Sequence, residues 1–199
     1  MPIMGVLLSN GRSGVMRLFV AVELSDKVQR VLGRIQHSLR PRCDGVRWVP
    51  THQLHLTLKF LGDVIDPDVP SACEAVSGAA TAIQPFAMTL RGCGCFPGDR
   101  AVRVVWAGVD EPSGSLAACA AGADDALEAA GFERERRPFS PHITLGRLRQ
   151  DRSDGAIRAA VEAFSFDAVE QTVKRITLMS SVLSSDGPTY VPVCKAALG

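Results

Sequence analysis

Charge of one sign is what this sequence most lacks. With 22 Lys and Arg against 21 Asp and Glu, the formal net charge is +1. No whole-molecule field therefore draws the chain to nucleic acid or to anionic lipid, and any anion site has to be local. Long apolar runs are missing too: none approaches the roughly 20 residues that span a bilayer as a helix, so no membrane association is expected. The six cysteines (Cys43, Cys73, Cys93, Cys95, Cys119 and Cys194) include no C-x-x-C pair and form no dense framework, which argues against a disulfide scaffold. The opening MPIMGVLLSNGRSG carries an apolar run with no basic region ahead of it and no cleavage-site pattern. A reduced, cytoplasmic setting is expected, with residues 1–15 as a flexible extension before a single domain over 16–199. No Pro-, Gly- or Ser-rich linker divides that span. What is present is the composition of a folded protein: 46% hydrophobic and 22% charged residues are too apolar for a disordered chain.

The pattern of apolar residues mixes helices and strands. RLFVAVEL from Arg17 is a β-prone run; Ser25 then caps a helix whose Val28, Val31, Leu32, Ile35 and Leu39 follow helical spacing. VRWV (46–49) reads as a short strand and LHLTLKF (54–60) as an alternating one closed by Gly62. A helix is expected from Asp66 to about Ile83, strands in FAMTLRG and AVRVVWAGV around a Gly-rich loop from Gly92 to Gly98, and a helix from Ser113 to Ala130 stopped by Gly131. Residues 153–164 read as a further helix, and VKRITLMSSVL and TYVPVCKAAL as a hairpin across Asp186-Gly187. Without strict strand–helix alternation, an α+β protein with antiparallel sheets is expected. The two halves have similar content, so the arrangement is expected to be bilobal and pseudo-symmetric.

Histidine is scarce, and its placement is not random. Two of the four histidines stand in the same setting, His55-Leu56-Thr57-Leu58 and His142-Ile143-Thr144-Leu145. Only eight of 199 residues are threonine, so two such coincidences by chance come to about one in a hundred. A strand sends alternate side chains to opposite faces, which groups His55 with Thr57 and His142 with Thr144 while the aliphatic residues enter the core. Two imidazoles suit a displacement at phosphorus, one taking a proton from the attacking oxygen and one giving a proton to the leaving oxygen, because their ordinary pKa of about 6.5 permits both. The threonine hydroxyls can donate to the non-bridging oxygens. His37 falls on the first helix beside Gln36 and is expected to be solvated. His52 lies three before His55, a spacing that a strand would split between opposite faces, and no acidic or thiol ligand accompanies it; no metal is expected. Arginines cluster around the second motif (Arg134, Arg136, Arg137, Arg147, Arg149 and Arg152), interleaved with Glu133, Glu135 and Asp151 as on a solvated face.

These motifs, with MRLFVAVEL, VRWVPTHQLHLTLKFLGDV, RAVRVVWAGV, GFERERRPFSPHITLGRLR and ITLMSSVLSSDGPTYVPV, make the chain from Met16 onward resemble the 2H phosphoesterase superfamily and, within it, the RNA 2',3'-cyclic phosphodiesterases once called 2'-5' RNA ligases. The resemblance implies a bilobal α+β fold with the site between the lobes, and metal-free, cofactor-free hydrolysis of a 2',3'-cyclic phosphate on RNA or a cyclic nucleotide to a 2'-phosphomonoester. It implies His55 as proton donor to the leaving 3'-oxygen, His142 as proton acceptor from water, Thr57 and Thr144 as phosphate-binding hydroxyls and Arg147 as a further phosphate contact. Phe19 is a candidate for base stacking. A monomer is expected.

Two other readings use the same residues. A 5'-hydroxyl in place of water would make the protein a 2'-5' RNA ligase joining tRNA half-molecules. A cleft that grips phosphate without turnover would make it a binding module for RNA ends or nucleotides, against which the neutral overall charge speaks.

Overall fold

The structure is a computed structural model that describes residues 14–99, 101–184 and 187–199. Thirteen elements follow one another: β1 (Val15–Glu23), α1 (Asp26–Leu39), β2 (Arg47–Trp48), β3 (His55–Ile65), α2 (Val69–Thr81), β4 (Phe86–Phe96), β5 (Val104–Asp110), α3 (Ser115–Ala129), β6 (His142–Arg147), α4 (Ala156–Glu162), β7 (Val169–Val173), β8 (Arg175–Ser184) and β9 (Gly187–Ala197). The strands form one curled antiparallel sheet in the order β7-β4-β5-β6-β3-β1-β8-β9, with β2 added beside β6. Helices cover one face: α2 packs on β8 and β9, α3 on β3, α4 on β4, and α1 reaches β7. This is the segregated α+β arrangement expected from the pattern. No described helix is long and apolar enough to cross a membrane.

The first helix forms where its cap predicts. Ser25 accepts the Val28 amide at 3.4 Å and Asp26 stands in the first turn, while Val28, Leu32, Ile35 and Leu39 are buried against the sheet. Gln36 is buried with them and donates to the carbonyls of Val49, at 2.7 Å, and Leu145, at 2.9 Å. A polar side chain on the core stripe thus ties the helix to the strand carrying the second motif.

Several boundaries differ from the sequence reading. β3 does not end at Gly62 but passes through it at φ +80 and continues to Ile65, because glycine takes that conformation without a Cβ clash. The segment 92–98 is not a loop up to Phe96: β4 runs through Gly92 and Gly94. Gly94 serves close packing, since a Cβ there would lie 2.3 Å from the Trp106 indole. The helix expected from Asp66 opens with a 3-10 turn, Asp66–Asp68, and is α-helical only from Val69. The other two expected helices are shorter than read, and the polar strand β7 was not legible as separate from β8. Of the expected extension, residues 1–13 lie outside the described residues, whereas Val15 already pairs with Ile65 in β1. Asp186 of the expected hairpin turn also lies outside them, between the paired Ser184 and Gly187.

The two halves of the sheet match rung by rung. Glu23, Ala21, Val20 and Phe19 of β1 face His55, Thr57, Lys59 and Phe60 of β3; Gly108, Trp106, Val105 and Val104 of β5 face His142, Thr144, Gly146 and Arg147 of β6. Each motif strand therefore has a bulge at the same place, with Leu58 and Leu145 left unpaired. A bulge makes two successive residues point the same way, and here Leu58 with Lys59, and Leu145 with Gly146, are all buried. Parity is reversed beyond it.

Candidate active site

β3 and β6 lie side by side at the centre of the sheet, paired antiparallel through Leu56 and Ile143. Both of those side chains are fully buried on the helix-covered face. Alternation then puts His55, Thr57, His142 and Thr144 together on the opposite, concave face. All four are half-buried.

Each imidazole is held in the same way. His55 Nδ1 lies 2.8 Å from the carbonyl oxygen of Gln53, and His142 Nδ1 lies 2.7 Å from that of Ser140. A carbonyl only accepts, so Nδ1 carries the hydrogen in both rings and Nε2 is left for chemistry. Neither threonine hydroxyl has a hydrogen-bond partner among the described residues, so both remain available to a ligand.

The surroundings of the two rings differ. His55 is packed by Phe19, ring centroids 4.8 Å apart, and by the edge of Tyr190, also at 4.8 Å. Its pKa is pushed below the usual 6.5, chiefly by burial; the Gln53 carbonyl opposes this, and the charges of Arg147 and His142 add to it. His142 meets the edge of Phe96 at 5.0 Å, and Phe96 in turn meets Trp106 at 5.3 Å.

Arg147 reaches the concave face because of the bulge at Leu145. Strict alternation from Thr144 would turn it toward the helices; the unpaired Leu145 reverses the parity and leaves Arg147 exposed on the His55 side. Three groups hold this bulge. The Leu145 carbonyl accepts from Gln36 and from the Val49 amide, at 2.9 Å each, and a Cβ at Gly146 would lie 2.5 Å from Val46. Arg147 has no carboxylate partner among the described residues. Three of its five cluster neighbours do: Arg134 pairs with Asp125 and Glu128, Arg136 with Glu133, and Arg137 with Glu135. For those three the reading as a solvated face holds.

Phe19 shares the concave face, but its ring is covered by His55, Phe60, Tyr190 and Met179 and is only 2% exposed. It has no open face for a base, which corrects the expectation from sequence. The open aromatic surface belongs to Phe60, 51% exposed at the rung beyond Thr57. His37 is exposed on α1, as expected. His52 is exposed as well, but it lies in a 3-10 turn, Thr51–Gln53, rather than in a strand. Among the described residues no three His, Cys, Asp or Glu side chains gather as metal ligands. Cys93 and Cys95 sit in β4, where burial pushes their thiols up to about 12 and about 11. Sequence reasoning missed Tyr190, Phe60, Phe96 and Trp106 as neighbours of the site; being the one tyrosine of the chain was the only signal any of them carried.

Comparison with known proteins agrees with this geometry. The LigT like Phosphoesterase family matches the chain twice, over residues 22–106 and 108–190, one match for each half and each containing one His-x-Thr strand. An RNA 2',3'-cyclic phosphodiesterase from Thermus thermophilus is 36% identical over 188 residues, covering 92% of this chain and 90% of that protein. One from Archaeoglobus fulgidus is 34% identical over 176 residues, covering 88% and 96%. Among solved structures, TT0787 of Thermus thermophilus superposes with a TM-score of 0.75 at 32% identity, covering 92% of this chain and 98% of that one. Escherichia coli LigT complexed with 3'-AMP gives 0.72 at 26% identity, covering 93% and 99%. Two matched halves, near-complete coverage and paired His-x-Thr strands place the chain in the LigT-like phosphoesterase family of the 2H superfamily.

Proposed function

We propose that the protein is an RNA 2',3'-cyclic phosphodiesterase that opens the cyclic phosphate to a 2'-phosphomonoester by proton transfer between two histidines. The observation that carries this reading is the pair of imidazoles on one concave face, each with Nδ1 held by the carbonyl two residues before it and Nε2 left for the substrate. The names of the relatives supply the substrate class.

In this reading neutral His142 takes a proton at Nε2 from water as the water oxygen bonds to phosphorus. The bond from phosphorus to the 3'-oxygen breaks, and the His55 imidazolium gives its Nε2 proton to that oxygen. The rings exchange protonation states and are reset by solvent. Thr57 and Thr144 donate to the non-bridging oxygens, and Arg147 offsets their charge. The assignment of donor and acceptor follows the family resemblance. It accommodates the lowered pKa of His55 in the free protein, because a bound phosphate anion counters Arg147 and favours the imidazolium. Since both proton transfers use side chains of the chain itself, no metal is called for.

Incubation with 2',3'-cyclic nucleotides and short cyclic-ended RNAs tests this. A 2'-phosphate product, formed equally in EDTA and lost in His55→Ala and His142→Ala, is expected. Formation of a 3'-phosphate, or activity that survives either substitution, overturns it.

A further inference from the structure

His55 and His142 are held by equivalent carbonyls at equivalent rungs, yet they are not packed alike. Among the described residues His142 has one aromatic neighbour, Phe96. His55 lies between two, the tilted Phe19 ring and the edge of Tyr190, which stands at 81° to it. Phe19 and Tyr190 also meet each other edge to face at 5.2 Å. With Ala21 and Met179 they form a separate apolar cluster on the concave face, apart from the main core. Tyr190 comes from β9, the outermost strand on that side, opposite Ser181 of β8. An edge strand thus sends its one large ring inward over β8 and β1 to reach a histidine on β3.

We propose that Tyr190 is a positioning residue: its ring, packed at 81° against the His55 imidazole, keeps that ring in one orientation and shielded from water, so that His55 works as a desolvated proton donor. This rests on the reading of His55 as the donor. Desolvation is the physical lever, since removing water from one side of an imidazole disfavours its charged form. A donor with a lowered pKa gives its proton to the leaving oxygen more readily once substrate charge has loaded it. The other groups facing His55 are accounted for. Glu23, its rung partner on β1, is bonded to Thr177 at 2.9 Å and paired with Lys195 at 3.0 Å. His142 and Arg147, from β6, act on His55 as positive charges. Of these, Arg147 also acts on the Tyr190 hydroxyl, whose pKa burial raises and the Arg147 charge lowers, so the hydroxyl has to be tested apart from the ring.

The test separates the ring from its hydroxyl. Tyr190→Phe keeps the packing, whereas Tyr190→Leu opens the Tyr190 side of His55 to water. NMR titration of the His55 ring is expected to show a midpoint raised toward 6.5 in Tyr190→Leu and held at the wild-type value in Tyr190→Phe. The alkaline limb of kcat/KM for a 2',3'-cyclic nucleotide should move to higher pH in Tyr190→Leu. Its kcat should fall by about tenfold, a part of what a positioned acid supplies, with Phe restoring most of the loss. Thermal melts establish that the variant is folded; Tyr190→Met replaces Leu if it is not. An unmoved His55 midpoint in Tyr190→Leu, or an equal shift in both variants, overturns the proposal. Failure of the catalytic reading itself shows elsewhere, as turnover that survives in His55→Ala, and leaves the titration result standing.

Discussion

Leu56 and Ile143 face each other across the junction of β3 and β6, and both are fully buried. That one pairing brings together two motifs 87 residues apart, the difference between positions 55 and 142. Because the strands run antiparallel, residues beyond the threonines point in opposite directions along the cleft. Arg147 falls toward the His55 end, in keeping with its effect on the His55 pKa, and Phe60 toward the other.

Removing either imidazole should cost about 10²- to 10⁴-fold in kcat/KM, the range for a positioned acid or base. His55→Ala combined with His142→Ala should cost little more than the worse single variant, since the two act as a unit. Kinetics on a cyclic nucleotide, with a thermal melt to show the fold intact, checks both statements.

The hydroxyls of Thr57 and Thr144 can be removed almost isosterically. Thr57→Val and Thr144→Val are each expected to lower kcat about 10²-fold, the lower end for one donor to a developing anion, while Tm stays close to wild type. A loss confined to KM would mean that the hydroxyls bind the ground state alone.

Phe60 is the aromatic surface open to a base beside the site. Phe60→Ala should weaken binding of a base-bearing cyclic nucleotide by about 1–3 kcal/mol, the worth of one stacked base. Phe19→Leu should instead register mainly as lost stability, because Phe19 is 2% exposed. Calorimetric titration with a 2'-nucleotide product, compared with the same product lacking its base, distinguishes a stacking contact from a general disturbance.

Lys59 is buried at 2% exposure and donates to Asp124 and to the Glu133 carbonyl, each at 2.5 Å. Burial raises the Asp124 carboxyl, but the bond from Lys59, the Glu135 amide and the charges of Lys59 and Arg134 outweigh it and hold the pKa below 3.8. A carboxylate depressed in the folded state contributes stability that is present above its unfolded pKa and lost as pH falls through the folded value. Stability should therefore drop below about pH 4, and Asp124→Asn should flatten that drop. Lys59→Ala, which leaves the half-buried Asp124 carboxylate with only Arg134 and the Glu135 amide, should cost about 1.5–3 kcal/mol at neutral pH, the worth of a hydrogen bond to a charged group. Denaturant unfolding across pH reads all three.

Elements whose signal is local were legible in the sequence. Ser25 and the stripe from Val28 to Leu39 specify α1, and the alternation in His55–Leu58 and His142–Leu145 specifies both motif strands and the faces of their side chains, because helix and strand periods are properties of neighbouring residues. The pairing of the two histidines was legible for the same reason, together with the family resemblance. What the sequence could not determine depends on contacts between distant segments. Strand order puts Tyr190 against His55 and Phe96 against His142, although nothing beyond the rarity of tyrosine marks the first and nothing marks the second. Phe19 lies on the expected face yet is covered by residues from three other strands, β3, β8 and β9. Arg147 reaches the cleft through a bulge at Leu145 that alternation alone would not place; the bulge persists because Gln36, Val49 and Gly146 satisfy and accommodate it. Register, bulges and burial are settled by which backbone groups and side chains meet across the sheet, so only the tertiary structure decided them.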